Sequence, residues 1–132
     1  MKPISARIVK SLQAGSFIRC TDNSGAVLLQ VIAVKGYKGV KNRSPPCGVG
    51  DWIFCSVKDG DPKMVHEVVQ AIIVRQKKEY RRRSGLRVKF EDNAAVLISE
   101  KGEPRGTKIK GPIAKEVVER FSMIGKIATT VL

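Results

Sequence analysis

What most constrains this chain is its punctuation: short β-branched runs recur along it, and each ends in a cluster of Gly, Pro, Asn or Asp. The runs cover residues 16–21, 26–34, 52–58, 68–76, 86–90 and 94–99. Between them lie Asp22-Asn23-Ser24-Gly25, Pro45-Pro46-Cys47-Gly48-Val49-Gly50-Asp51 and Lys58-Asp59-Gly60-Asp61-Pro62. Such residues tolerate positive φ or hydrogen-bond their own backbone in turns. Strands of this length and spacing predict a small barrel or sandwich. Residues 31–34 and 71–74 are apolar without alternation, so both of their faces must be covered. A small closed barrel does this by filling its interior with one face and packing the other under the terminal segments or against a partner.

Helix is scarce. Asp61 and Pro62 fit the N-cap and first position of one helical turn over residues 62–68. After residue 99 a polar loop, Lys101-Gly102-Glu103-Pro104-Arg105-Gly106-Thr107, leads to the best helix candidate, residues 112–122. There Pro112 suits the first position, and Ile113, Val117, Val118 and Phe121 share one face. Glu116 and Arg120 are spaced as an i,i+4 pair on the other face. A second short helix is expected over residues 123–128. No repeat or linker divides the chain, so residues 1–132 are expected to form one domain, with a ribbon at about 75–90 and a C-terminal loop and helices at about 100–128.

Charge bounds the function. The chain carries 25 Lys plus Arg against 12 Asp plus Glu, a net charge of +13 with pI near 10.1, well beyond what solubility requires. A large polyanion is the expected partner. No apolar run reaches the ~20 residues of a spanning helix, and MKPISARIVK is not a signal peptide. A cytoplasmic location and no membrane partner are expected. Cys20, Cys47 and Cys55 form no CxxC pair and His66 is the only histidine, so neither metal nor cofactor is expected. Cys20 and Cys55, in apolar strand-like surroundings, read as small buried hydrophobes, and the odd count suits a reducing compartment.

The charge is concentrated. From Arg75 to Phe90 the cations are Arg75, Lys77, Lys78, Arg81, Arg82, Arg83, Arg87 and Lys89, against Glu79 alone. Arg81-Arg82-Arg83-Ser84-Gly85 reads as the tip of a projecting hairpin, Gly85 supplying the left-handed conformation that the connection needs. In the returning arm Leu86, Val88 and Phe90 alternate with Arg87 and Lys89, which puts apolar groups on one side and cations on the other. Long like-charge runs often mark disordered tails; the alternation and the turn argue instead for an ordered ribbon, with protein packed on one face and phosphate on the other. A second cluster comprises Lys35, Lys38, Lys41 and Arg43 without an acid, where Gly36 and Gly39 allow close backbone approach and Tyr37 is a candidate for stacking on a base. A weaker third patch holds Arg105, Lys108, Lys110 and Lys115, flanked by Glu103 and Glu116.

RNA is favoured over DNA because no helix-turn-helix, zinc finger or basic zipper is present. Single-strand binders display stacking aromatics, whereas this chain has seven aromatic residues, of which Phe17, Trp52 and Phe54 read as core. Folded RNA recognised through backbone and shape fits better. Asp22, Asp51, Asp59, Asp61, Glu91 and Asp92 occupy turn-like positions and no nucleophile–base pair accompanies His66, so an enzyme is not expected.

An ordered set of segments also carries a resemblance. Ala71-Ile72-Ile73-Val74, Ser84-Gly85, Phe90-Glu91-Asp92-Asn93 and Ala94-Ala95-Val96-Leu97 resemble the signature of the universal large-subunit ribosomal protein number fourteen family. Thr21 to Ala26, Gly48 to Asp51, Pro104 to Thr107 and Gly111 to Glu116 extend it over nearly the whole chain. The 35–43 loop and the arginine-rich hairpin look like the archaeal and eukaryotic branch, and the short N-terminus more like the archaeal one. Ser24 and Ser84 depart mildly from the family pattern. The resemblance implies a mainly β fold: a small closed five-stranded barrel with a projecting ribbon and a short C-terminal helical region. It implies a structural constituent of the large ribosomal subunit, bound to large-subunit rRNA, in contact with neighbouring ribosomal proteins and bridging to small-subunit rRNA. It further implies that residues 104–121, with Arg105, Thr107, Lys108, Lys110 and Lys115, form a subunit-interface region where an anti-association initiation factor docks. The alternative from another class is a free-standing RNA-binding barrel acting as an RNA chaperone.

Overall fold

A computed structural model describes residues 1–132. In chain order the strands are β1 (Ala6–Arg7), β2 (Leu12–Gln13), β3 (Phe17–Cys20), β4 (Ala26–Val34), β5 (Pro46–Cys47), β6 (Trp52–Gly60), β7 (Val68–Arg75), β8 (Tyr80–Arg82), β9 (Arg87–Val88), β10 (Ala94–Ile98) and β11 (Ile109–Ile113). Helices α1 (Lys115–Arg120) and α2 (Ser122–Ile127) follow, and β12 (Ala128–Val131) ends the chain. β3, β4, β6, β7 and β10 close into a five-stranded barrel in the order β10-β3-β4-β6-β7. Four of its five pairings are antiparallel; the closing one, β10 with β3, is parallel.

The apolar run 71–74 is explained by two cores, whereas in 31–34 the expectation that both faces are covered fails, because Ile32 is 48% exposed on the outer wall. Leu29, Val31, Ile53, Cys55, Val57, Ile73 and Leu97 fill the barrel. Ile72, Val74, Val96 and Ile98 have the opposite strand parity and face a second core, with Tyr80, Ile109, Ile113, Val117 and Ile124. That second core is made by the C-terminal region and the hairpin lying against the barrel wall. β10 is consequently buried at all five positions. Burying a large aliphatic side chain stabilises the fold by roughly 1.5–3 kcal/mol, so the C-terminal segment is an integral layer.

Several local expectations are corrected. Residues 109–113 form a strand, so Pro112 is not helical: Gly111 at φ +79 breaks the approach, and β11 pairs in parallel with β12. The helix starts only after Ala114, whose backbone is extended. Glu116 and Arg120 do not pair. Glu116 turns inward, and Arg120 donates to the carbonyls of Lys2 and Gly50. Phe17 is not core but 56% exposed on the outer wall. The single turn expected after Asp61 is present but shorter, over residues 62–66, with the amides of Met64 and Val65 both donating to the carbonyl of Asp61.

Candidate nucleic-acid interface

The hairpin is held by three strands. β8 pairs with β9 on one side and with β1 on the other. Alternation then divides the side chains: Tyr80 and Val88, directly opposite one another, face inward with Ala6 and Arg82, while Arg7, Arg81 and Arg87 face out. Tyr80 is fully buried, and Val88 and Phe90 pack on the second core. The apolar ribbon face, expected to await a neighbouring protein, is therefore covered by this chain's own C-terminal layer. Only the tip, Arg83 to Leu86, stands free, with Gly85 at φ +94 making the turn.

The eight hairpin cations do not form one set. Lys77, Arg81, Arg83, Arg87 and Lys89 are exposed and make no ion pair, and Lys78 meets only its neighbour Glu79, at 3.1 Å. Arg82 and Arg75 point into the protein. Arg82 Nε donates to Glu116 Oε1 at 2.8 Å, and the Tyr80 hydroxyl donates to Glu116 Oε2 at 2.9 Å. Arg82 also donates to the carbonyl of Leu132. Burial and the Glu116 carboxylate push the Tyr80 pKa up. For Arg82, burial opposes the charge, but the bonds to Glu116 and Tyr80 outweigh it and its pKa rises. Arg75, 7% exposed, grips Asp92 with two donors at 2.8 and 3.0 Å and donates to the carbonyls of Lys110 and Pro112. The expectation that Arg81, Arg82 and Arg83 are alike at an exposed turn fails for Arg82, because strand parity turns it toward Glu116. Parity with Tyr80 was the available signal.

Beside the hairpin lies a cleft of about 760 Å3 whose walls include Arg19, Lys77, Lys89, Phe90, Glu91 and Asp92. Arg19, exposed on β3, and Arg7 on β1 are cations of this surface that the sequence reading passed over, since each stands alone in its segment. In the second cluster Lys38, Lys41 and Arg43 are exposed, while Lys35 sits 3.7 Å over the Trp52 ring. Tyr37 is only partly open and its hydroxyl is buried without a partner.

The C-terminal patch is tied to the first turn of the barrel. Asn23 Oδ1 accepts from the amides of Thr107 and Lys108, and its Nδ2 donates to the Thr107 hydroxyl at 2.8 Å. A Cβ on Gly106 would lie 2.7 Å from Asn23 Oδ1, so this close approach requires glycine. Asp22, buried, accepts from the amides of Ser24 and Leu97. The Asp22–Gly25 turn is thus a structural lock. Arg105 lies 3.8 Å from Glu67, and Lys108, Lys110 and Lys115 are exposed. Burial pushes the thiols of Cys20, Cys47 and Cys55 up to about 12, keeping them protonated at neutral pH.

Fold and charge together define a class: a small, strongly cationic closed β-barrel, with much of its free charge gathered on a hairpin and loops. The chain belongs to the Ribosomal protein L14p/L23e family, which it matches over residues 11–132. It is 52% identical, over 132 residues and the full length of both chains, to the large ribosomal subunit protein uL14 of Methanocorpusculum labreanum. The uL14 of Methanothrix thermoacetophila is 52% identical over 130 residues, covering 98% of this chain and 96% of that one. That of Halobacterium salinarum is 52% identical over 132 residues and the full length of both. These relatives are proteins of the large ribosomal subunit.

Proposed function

We propose that the chain is a structural constituent of the large ribosomal subunit that binds large-subunit rRNA, with no catalytic role and no cofactor. The observation that carries this reading is the set of exposed, unpaired cations Lys77, Arg81, Arg83, Arg87 and Lys89 on an ordered hairpin, in a member of a ribosomal protein family. Rigidly presented guanidinium and ammonium groups suit the phosphates of folded RNA, which position a protein without reading sequence. Lys38, Lys41 and Arg43 extend the contact, whereas Arg75 and Arg82 act through the fold. Across the subunit interface the C-terminal loop, with Arg105, Thr107, Lys108, Lys110 and Lys115, contributes a bridge to small-subunit rRNA and a docking surface for an anti-association initiation factor. Its anchoring by Asn23 supports a preformed surface. Neighbouring large-subunit proteins find their apolar contact on the barrel wall, where Phe17 and Val68 lie in one rank with Gln30 and Ser56 between them.

The deciding experiment is fractionation after a high-salt wash. The protein is expected with large subunits, located in the cytoplasmic ribosome, and recovery only in the free pool refutes the proposal. About five engaged phosphates give a log–log salt slope of roughly 3–5 for binding of isolated rRNA.

A further inference from the structure

We propose that Arg7, Arg81 and Arg87 form an anion-dependent seam, closed by consecutive RNA phosphates, whose occupation pins the N-terminal strand onto the hairpin. The ligand named here rests on the RNA-binding reading above; the seam itself rests on geometry. Arg7 stands directly opposite Arg81, and Arg81 directly opposite Arg87. Directly opposite residues of antiparallel strands project from the same face, and all three are exposed. Three arginines therefore form a single rank across three neighbouring strands. None of their side chains makes an ion pair or donates to a protein acceptor, whereas Nε and Nη2 of their inward neighbour Arg82 are engaged by Glu116 and Leu132. Next to the rank is a hollow of about 390 Å3 lined by Ser5, Arg7, Arg81, Arg82 and Arg83, with neither an acid nor an apolar side chain. Glu79, the hairpin's one acid, is taken by Lys78, and Arg87 is the weakest of the influences that lower its pKa.

Like charges directly opposite one another weaken strand pairing, and β1 offers only two residues, Ala6 and Arg7, to hold it. Beyond that pairing, Ala6 and Ile8 pack on the second core, and the flanking residues are tied by the Ser5 hydroxyl donating to Glu119, Arg120 donating to the Lys2 carbonyl, Gln76 Nε2 donating to the Val9 carbonyl and Lys10 Nζ donating to Asp51 at 2.6 Å. A phosphate placed between two guanidinium groups turns their repulsion into a bridge, since each presents a fork of donors matched to its oxygens. Adjacent strands lie about 4.8 Å apart, so the outer members of the rank are separated by about 10 Å at the backbone. One small anion bridges one pair; a run of phosphates on one backbone bridges both. Because the rank exists only when β1 is docked, binding must by linkage stabilise the docking.

The test uses the full chain with isolated large-subunit rRNA and, separately, tripolyphosphate. Arg7→Ala is expected to lower rRNA affinity about tenfold at low salt and to reduce the salt slope by about 1, whereas Lys2→Ala, outside the rank, leaves both nearly unchanged. Either ligand is expected to slow amide hydrogen exchange at Arg7, whose amide faces β8, about tenfold or more. If the natural chain binds rRNA steeply with salt but Arg7→Ala binds equally well, or exchange at Arg7 does not slow, the seam is overturned and the RNA-binding reading stands. Protection by tripolyphosphate with no rRNA binding supports the seam and removes that reading. Loss of both effects overturns both.

Discussion

Replacing Glu116 with Ala should be the most damaging single change outside the barrel core. Its side chain has no solvent exposure, and that of its partner Arg82 is 14% exposed. One carboxylate accepts from Arg82 Nε at 2.8 Å, from the Tyr80 hydroxyl at 2.9 Å and from Arg82 Nη2 at 3.4 Å. Removing one partner of a buried ion pair strands the other charge, a loss of about 3–5 kcal/mol. That is a large fraction of the ~5–15 kcal/mol that holds a domain of this size. With a urea m-value of about 2 kcal/mol/M, the unfolding midpoint should fall by about 1.5–2.5 M. Circular dichroism reports the barrel. Fluorescence of Trp52, the only tryptophan, reports the C-terminal layer, because its ring stacks edge-on against Phe121 at 6.2 Å. Exchanging the pair for apolar residues, Arg82→Met with Glu116→Leu, should recover at least half of the loss, since no charge is then left buried. A midpoint shift below about 0.5 M for Glu116→Ala, or a double variant no better than the single one, would refute the reasoning.

Arg81→Ala combined with Arg83→Ala should lower the salt slope of rRNA binding by about 2 with an unchanged dichroism spectrum; adding Arg82→Ala should also destabilise the fold, and a merely additive effect on affinity with no change in stability would contradict the division among these arginines. Asn23→Ala removes three hydrogen bonds to the Thr107–Lys108 segment, worth about 1–3 kcal/mol together, and should raise hydrogen exchange at those two amides while β7 and β10 stay protected. The cysteine thiols fix a pH dependence. They rise from 9.0 to about 12 on folding, so below pH 9 both states hold the protons and stability is unaffected. Above pH 9 only the unfolded chain releases them, and stability should fall as pH climbs toward 12. Urea midpoints flat from pH 8.5 to 10.5 would contradict this.

The barrel was legible because its strands are long and β-branched; the 26–34 run matches β4 end to end. The short strands β1, β2, β5, β11 and β12 were not, because two to five residues carry no periodicity of their own and pair with segments far off in the chain. Pro112 misled for a related reason: it favours a first helical turn, yet its fixed φ also suits an edge strand, and the distant β12 decided the matter. In the site, counting charge located the hairpin but could not separate Arg81 from Arg82. That distinction depends on which face of β8 meets Glu116, 34 residues further on. Phe17 looked like core because apolar residues usually are; the parity of β3 puts Ile18 inside and Phe17 out.

The parallel closure of the barrel, β10 against β3, has a consequence for the newborn chain. β3 is made among the first 20 residues, but its closing partner begins at Ala94. At about 5–20 residues per second, the interval between them is about 4–15 s of synthesis. Throughout it the outer edge of β3 offers unpaired amides and carbonyls, beside a half-built wall bearing Phe17 and Ile32. An open edge of this kind is a template for mispairing. The chain's most vulnerable interval therefore lasts until residues 94–98 have been made, and whatever shields it must act on residues 16–34 during translation.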